Sequence, residues 1–317
     1  MCSEYPFQVT GIDYAGPLLV CDIYGDKQTL HKSYILLFTC ATSRAVHLEL
    51  TADMGASTLV RTLKRFLGRK GYPEKIISDN FTSFKSKEVK AFIRKNFIEW
   101  KFILELSPWW GGFYERLIKI VKDTLRKSLQ NARLTYDELS TVLIEIENIM
   151  NSRPLTYMSE DSVEAITPFH LLHGRNISVR GGRVNIRSND RRSSDVEYRT
   201  KHVQFLVHQY WSRFYSEYTV ALREQMLYDR TKLENKESLV GDVVIIVDDK
   251  TKPVHWKKGR IEELIVGRDS IVRGVRLQST TPTRKTVHIS RPIQKIIPLE
   301  ISINKSATIT VTRTLQI

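Results

Sequence analysis

The sequence predicts an α/β domain with a mixed sheet, followed by a small β-rich module. In the first half, stretches rich in β-branched and aromatic residues alternate with stretches whose apolar residues recur at helical spacing. Strands that come first and are then mixed with helices are typical of a mixed α/β sheet. From Gly241 onward, short strand patterns follow one another at the spacing of a β-barrel of about 60 residues.

The predicted strands of the first half lie at 7–14, 33–39, 44–50, 75–78 and 101–106. In the third of them, apolar residues alternate with His47 and Glu49, which is the period of a half-buried strand. The predicted helices include an apolar row from Leu59 to Leu67 that Gly71 ends. Two more follow at Gly112–Leu129 and Tyr136–Met150, and the second of these opens with an S/T-x-x-E capping box.

Composition divides the rest of the chain. Residues 174–201 are rich in Arg, Gly, Ser and Asn without a clear period, which predicts an exposed linker or long loop. A helical pattern at Val203–Leu222 follows it. We therefore divide the chain into a core, a basic linker with a connecting helix, a basic β-rich module and a tail, with the bounds 1–173, 174–235, 236–300 and 301–317.

The charge of the chain predicts a polyanionic partner. The net charge is +14, and the first 150 residues contribute only +4, from 21 Lys/Arg and 17 Asp/Glu. The second half therefore carries +10. No apolar run approaches the roughly 20 residues that cross a bilayer, so no membrane partner is expected. The N-terminus MCSEYPF lacks the basic and apolar regions of a signal peptide, so an intracellular protein is expected. The three cysteines form no C-x-x-C, which predicts reduced, mostly buried thiols.

Three acids stand where functional sites assemble in α/β sheets. Asp13 and Asp79 each end a predicted strand, and Glu115 lies at the start of a predicted helix. Between Asp79 and Glu115 there are 115 − 79 − 1 = 35 residues, the gap of a D…D-35-E pattern. Converging carboxylates repel one another unless a cation holds them, and Mg²⁺ or Mn²⁺ prefers such oxygen ligands. The alternative is that the three are turn, cap and solvated helix residues.

The helix that holds Glu115 carries a row of basic residues. Glu115, Lys119, Lys122 and Arg126 share one face at 100° per residue, and apolar residues share the other. A basic row beside metal-binding acids would hold a DNA end. The alternative is a solvated face on which Glu115 pairs with Lys119.

Several segments in order resemble a BEL/Pao-type retrotransposon integrase. They are VTGIDYAGPL, FTCATSRAVHLEL, GYPEKIISDN, SPWWGGFYERLIKIVK, IENIMNSRPLTY, ITPFHLLHGR, YWSRFYSEYTVAL, GDVVIIVDD, HWKKGRIEELIVGRDSIVRGVRL and RPIQKIIPL. The resemblance runs through most of the chain. It implies an RNase H-like core with a mixed central sheet flanked by helices, a helical connector, and a small, SH3-like β-barrel module.

The resemblance also implies the chemistry. Asp13, Asp79 and Glu115 would be catalytic and would bind two Mg²⁺ or Mn²⁺ ions. The reactions would be 3′-end processing and strand transfer of element cDNA into host DNA, by a homo-oligomer that acts in the nucleus after particle assembly in the cytoplasm. Lys119, Lys122 and Asn80 would lie close to the DNA. The mobile loop beside the site would comprise 108–112, with Pro108, Gly111 and Gly112.

Two features depart from the integrase pattern. Phe81 stands where the family usually has Gly, and a turn that needs a positive φ would be strained by it. The His/Cys zinc module of integrases is not found in this sequence, so no zinc is expected in the chain. We interpret His170 and His173 as ordinary helix or loop residues.

The C-terminal module is strongly basic. Residues 250–295 hold 12 Lys/Arg and three acids, which suits sequence-independent phosphate binding. The candidate DNA-binding residues are Lys257, Lys258, Arg260, Arg273 and Arg276. The alternative is a structural or self-association module.

Three functions remain open at this point. The first is an integrase that acts by metal-dependent transesterification. The second is a catalytically decayed or domesticated relative that binds DNA or assembles without catalysis. The third is an RNase H-like nuclease that only hydrolyses. The three acids favour the first, whereas Phe81 and the missing zinc module favour the second.

Overall fold

The structure, a computed structural model, divides into two compact units. It describes residues 5–21, 29–102, 112–129, 132–157, 165–174, 195–232, 240–248, 257–267, 269, 272–280 and 286–299. Unit 1 is drawn from residues 1–152 and 168–211, and unit 2 from residues 153–167 and 212–317.

Unit 1 contains six strands and most of the helices. The strands are β1 (Val9–Cys21), β2 (Leu30–Cys40), β3 (Val46–Thr51), β4 (Lys75–Ser78), β5 (Glu99–Phe102) and β6 (Leu134–Thr135). The helices are α1 (Ala56–Lys70), α2 (Lys87–Lys95), α3 (Gly112–Leu129), α4 (Tyr136–Asn151) and α5 (Pro168–His173). Helix α6 (Asp195–Lys232) runs from unit 1 into unit 2. Helix α2 was not expected from the sequence, and the predicted strand at 101–106 is described only as far as Phe102.

The strand order of unit 1 confirms an RNase H-like mixed sheet with helices. The order is β3-β2-β1-β4-β5, and the short β6 also pairs with β1. Strands β1, β2 and β3 are antiparallel neighbours, whereas β4 is parallel to β1 and β5 is parallel to β4. A parallel pair needs a crossover, and α1 and α2 supply the crossovers into β4 and β5.

Helices α1 and α2 cover one face of this sheet with an aromatic-rich core. Phe38 of β2 stacks on Phe66 of α1 with ring centroids 4.1 Å apart, and Ile12 of β1 and Ile76 of β4 belong to the same core. The chain leaves α1 at Gly71, whose φ of 90° is a conformation that glycine adopts without strain. The predicted end of this helix is therefore confirmed.

Side chains of α4 close the outer edge of β3. Asn151 accepts a hydrogen bond from the Val46 N–H at 2.8 Å and donates one to the Val46 carbonyl at 2.7 Å. Glu147 accepts from the Leu48 N–H at 3.0 Å. An open edge offers unpaired backbone groups to other strands, so these bonds remove a site for unwanted pairing. The capping box that starts α4 is confirmed, with Thr135 and Glu138 bonded reciprocally.

The prediction that β3 is half-buried is wrong, because all six of its residues are buried. His47 lies between two carboxylates, with Nδ1 2.8 Å from Glu147 and Nε2 3.1 Å from Glu49. Arg65 and Arg69 of α1 each approach Glu49 to 2.7 Å. The charged residues of β3 are thus paired with partners far along the chain, which the alternating pattern does not reveal.

The basic linker predicted for 174–201 is partly wrong, because its last residues begin helix α6. Residues 175–194 lie outside the described residues. The first turns of α6 are held in unit 1 by Arg199, whose guanidinium forms a salt bridge with Glu138 of α4. This bidentate contact gives the segment a fixed partner that its composition does not indicate.

Unit 2 contains the second half of α6 and the C-terminal sheet. The strands are β7 (Thr156–Tyr157), β8 (Ala165–Ile166), β9 (Val243–Ile246), β10 (Lys257–Val266), β11 (Val272–Thr280), β12 (Thr286–Pro292) and β13 (Ile296–Pro298). The last five form an antiparallel sheet in the order β12-β11-β10-β9-β13. The β-rich module is confirmed, but the described strands do not pair into a closed barrel.

The sequence predicts no membrane-spanning helix and no disulfide framework. Among the described residues, no helix has the length and apolar character needed to cross a bilayer. Cys21 and Cys40 are free, buried thiols, as predicted, while Cys2 lies outside the described residues.

The His47 cluster predicts a defined pH profile for the stability of the protein. Burial lowers the pKa of His47, but the hydrogen bonds to Glu147 and Glu49 outweigh it and raise that pKa above 6.5. Burial raises the pKa of each glutamate, but their partners outweigh it and hold both below 4.5. The histidine contribution is therefore full below pH 6.5 and is lost as pH rises through the raised value. The glutamate contributions are full above pH 4.5 and are lost as pH falls through the lowered values.

We expect His47→Gln to cost about 2 kcal/mol of unfolding free energy near pH 5.5, because it leaves buried carboxylates with fewer hydrogen-bond partners. Its stability should also fall less steeply than that of the wild type above pH 6.5. Urea unfolding at a series of pH values measures both effects. His173→Gln, at an exposed residue, serves as the control and should keep the wild-type profile. Parallel profiles for wild type and His47→Gln would contradict the raised pKa.

Candidate active site

Strand pairing places Asp13 beside Asp79. The last parallel pair between β1 and β4 joins Ile12 to Ser78, so the next residue on each strand is the aspartate. Neighbouring strands lie about 5 Å apart, and side chains alternate between the two faces. Because Ile12 faces the core under α1 and α2, the two aspartates face the other side of the sheet. The structure thus brings together two of the three predicted acids.

Lys122 of α3 reaches this pair of carboxylates. Its Nζ lies 2.5 Å from Oδ2 of Asp13, and both side chains are about one-third exposed. Burial raises the pKa of Asp13 above its usual value, and the negative charge of Asp79 acts in the same direction. The ammonium of Lys122 opposes these effects without cancelling them. A cationic side chain therefore stands where the sequence predicts a need for positive charge.

The turn after Asp79 accommodates Phe81 without backbone strain. Phe81 has φ −59° and ψ 141°, so the positive φ that would penalise a phenylalanine is not required. Its N–H donates a hydrogen bond of 3.2 Å to Oδ1 of Asp79. Its ring packs on Tyr14 and Phe84, with centroids 5.6 and 5.9 Å away. Phe81 thus holds one oxygen of Asp79 in place, and the expected strain is absent.

A second hydrogen-bond chain fixes the backbone of Asp79. The indole Nε1 of Trp100 donates to Oγ of Ser78 at 2.8 Å, and that hydroxyl donates to the Asp79 carbonyl at 2.9 Å. Sequence reasoning missed both residues, because the register between β4 and β5 is a property of the folded sheet. The available signal was the spacing of Trp100 and Phe102, which are two residues apart in a strand and should therefore both face the core.

An aromatic layer supports the turn from beneath. Tyr14 stacks on Phe84 at 5.4 Å, Phe84 lies 5.5 Å from Trp100, and Trp100 lies 6.2 Å from Phe102. Burial raises the pKa of Tyr14 to about 12, so its hydroxyl stays neutral. Phe84 is fully buried, and the partly buried rings around it pack against the same core, so they support the carboxylates above them.

The third predicted acid lies in the expected helix, but its side chain falls outside the described residues. Glu115 belongs to α3 and precedes Lys122 by seven positions, or about two turns on the same side of the helix. Because Lys122 contacts Asp13, this side of α3 faces the aspartates. Among the side chains that the structure describes, no three His, Cys, Asp or Glu form a metal-binding group. Asp13 and Asp79 nonetheless fit a hard divalent cation in the kind of ligand they offer, since both present carboxylate oxygens on one face of the sheet; Lys122 would have to release Asp13 for a metal to bind there.

The remaining predicted residues have varied positions. Lys119, Arg126 and Asn80 are exposed in unit 1, and Gly112 is the first residue of α3, whereas Pro108 and Gly111 lie outside the described residues. In unit 2, Lys257 is exposed and Lys258 and Arg260 are half-buried on β10.

Two of the predicted DNA-binding arginines form surface salt bridges. Arg273 contacts Asp269 at 2.8 Å, and Arg276 contacts Glu263 at 2.7 Å. Their charge is therefore partly balanced within the module, which the count of basic residues does not take into account.

Two parts of the chain match known families. Residues 15–108 match the integrase core domain, and residues 198–299 match a family of unknown function (DUF5641). Each match covers less than half of the chain. The first match includes Asp79, begins just after Asp13 and ends before Glu115.

One curated relative is an uncharacterized protein of Caenorhabditis elegans, K02A2.6. It is 28% identical to this chain over 149 residues, which are 47% of this chain and 11% of the relative. The chain therefore spans only a small part of that protein.

Solved integrase structures show a weak overall similarity. The catalytic core domain of HTLV-2 integrase in complex with magnesium, in its dimeric form, has 18% identity and a TM-score of 0.38, covering 55% of this chain and 100% of that one. The simian T-cell lymphotropic virus intasome in complex with PP2A regulatory subunit B56 gamma has 13% identity and a TM-score of 0.41, covering 95% and 81%. Scores below 0.5 carry no inference about the site.

We expect Trp100→Phe to weaken Mn²⁺ binding about tenfold, because Asp79 is a predicted metal ligand and outer hydrogen bonds orient such ligands. The substitution keeps an aromatic ring in the layer and removes only the N–H that Ser78 accepts. Isothermal titration calorimetry with Mn²⁺ on the full chain measures the affinity.

Phe92→Leu is the matched control, since it trims the same core without touching this hydrogen-bond chain. It should lower stability and leave Mn²⁺ affinity near that of the wild type. Equal loss of affinity in both variants would show that Trp100 acts only through general packing.

Proposed function

We propose that this chain is the integrase of a BEL/Pao-type retrotransposon and performs 3′-end processing and strand transfer of element cDNA into host DNA. The observation that carries the proposal is the β1–β4 register, which sets Asp13 and Asp79 side by side in a domain that matches the integrase core. The resemblance of the whole sequence to these elements supports the finer assignment.

Asp13, Asp79 and Glu115 would hold the divalent cations. Such Mg²⁺ or Mn²⁺ ions would supply the activation of a water or 3′-hydroxyl and the stabilisation of the leaving oxygen. The chain's own contribution is to hold Asp79 by the Phe81 N–H and by the Ser78 hydroxyl, so that its position is set before any ligand arrives.

Basic residues of α3 would hold the DNA. Lys119 and Arg126 are exposed on the helix whose Lys122 reaches Asp13, so phosphates bound there would lie next to the carboxylates. In this proposal, Lys122 pairs with the Asp13 carboxylate and exchanges it for a phosphate when DNA enters. The residues 257, 258, 260, 273 and 276 of the C-terminal module would add contacts that do not depend on base sequence.

The partners and location of the reaction follow from the same proposal. The substrates are the cDNA ends of the element and host DNA, and the working form is a homo-oligomer. Integration takes place in the nucleus, after particle assembly in the cytoplasm.

A second candidate is a decayed or domesticated protein that binds DNA without catalysis. The ion pair between Lys122 and Asp13 favours it, because the lysine supplies the charge that the carboxylate would otherwise take from a metal. The two candidates differ in whether product forms.

The deciding experiment incubates the full chain with a labelled duplex that mimics the element's end, target DNA and Mn²⁺. We expect joined product, and a loss of at least about 100-fold in Asp79→Asn, because a metal ligand contributes more than the partners that orient it. Asp137→Asn removes the same charge from an exposed position on α4 and should retain activity.

Salt-sensitive DNA binding without product would favour the second candidate. Nicking without joining would identify a nuclease that only hydrolyses. Equal activity in wild type and Asp79→Asn would remove the proposed site altogether.

A further inference from the structure

Helix α2 carries a row of exposed basic residues that the proposed active site does not use. Lys87, Lys90 and Arg94 lie within about 60° of one another around the helix, because they are spaced by three and four residues. The opposite side of the helix buries Val89 and Ile93 in the core. We call Lys87, Lys90 and Arg94 the α2 ridge.

The charges of the α2 ridge are not balanced within the described part of the chain. None of its three side chains has a carboxylate partner there, and the one acid on the helix, Glu88, lies to the side. Some other exposed cations are paired, as Arg69 is with Glu49. Three like charges on about two helical turns repel one another, so an anionic partner would lower their energy.

The α2 ridge begins at the sheet edge that holds the carboxylates. Strand β4 ends at Ser78 on this edge, and β5 starts at the opposite edge, where Glu99 pairs with Lys75. Helix α2, which connects them, must run from the carboxylate edge to the far edge. Lys87 is thus nearest to Asp79, and Arg94 is farthest from it. The ridge lies on the α1 side of the sheet, opposite to α3.

The dimensions of the α2 ridge fit a phosphate backbone. From Lys87 to Arg94 the helix rises about 10 Å at 1.5 Å per residue, which is the axial length of about three phosphates on one strand. Cations that contact phosphates do not distinguish one base sequence from another, so binding by these three residues would not depend on sequence.

We propose that the α2 ridge binds the phosphate backbone of a DNA duplex on the side of the sheet opposite to α3. This inference rests on the proposed function, since the DNA is the one whose ends or target site reach the carboxylates. With cations of α3 on one side and the ridge on the other, the duplex is held on both sides of the edge where Asp13 and Asp79 meet.

The test measures how the dissociation constant of the full chain for a random-sequence duplex depends on salt, in EDTA so that no reaction occurs. The slope is that of the logarithm of the dissociation constant against the logarithm of the salt concentration. The variant Lys87→Gln/Lys90→Gln/Arg94→Gln should lower its magnitude by about 3, because each lost phosphate contact removes about 0.9. Glu88→Gln should bind more tightly than the wild type, since it removes the acid beside the ridge.

Lys32→Gln/Lys64→Gln/Arg133→Gln is the matched control, since it removes two lysines and one arginine from exposed positions outside α2. It should change the slope by less than about 1. An unchanged slope in the ridge variant, or equal losses in both triple variants, would overturn the proposal. Ridge-dependent binding by a protein that joins no DNA would leave this inference standing and remove only the proposed catalysis.

Discussion

The parallel register between β1 and β4 is the constraint on which the candidate site depends. It pairs Ile12 with Ser78, and the aspartate that follows each of them is thereby placed on the same side of the sheet. Burial raises the pKa of Asp13 and the neighbouring charge of Asp79 adds to the rise, so the two carboxylates are unfavourable together without positive charge. The Lys122 ion pair opposes this repulsion, while the Phe81 N–H holds the Asp79 carboxylate and the Ser78 hydroxyl holds the Asp79 backbone carbonyl.

The charges of unit 1 have two different roles. At β3, buried His47 and Glu49 are paired with side chains from α1 and α4, and Asn151 and Glu147 cover the backbone edge. These groups stabilise and close the sheet. Near Asp13 and Asp79, Lys122 is paired with Asp13, whereas Lys119 and Arg126 of the same helix are exposed. Positive charge thus holds the fold together at β3 and is exposed on α3 where it could meet a polyanion.

The sequence was sufficient to predict the mixed sheet, α3, α4 and the two aspartates, because each leaves a local signal of period, cap or strand end. It was insufficient where a partner lies far along the chain. The burial of His47 depends on Glu147, one hundred residues later, and the Ser78–Trp100 bond depends on the register of β4 with β5. The nine-residue α2 has few apolar positions to mark its period, and its basic side resembles that of any solvated helix.

The most direct measurement is a crystal structure of the full chain grown with Mn²⁺, with the metal located by its anomalous scattering. The account predicts Mn²⁺ within about 2.2 Å of carboxylate oxygens from Asp13 and Asp79, with Glu115 as the third ligand and Lys122 moved away from Asp13. Manganese bound elsewhere, or a Lys122–Asp13 pair that stays closed while Glu115 points away, would contradict it.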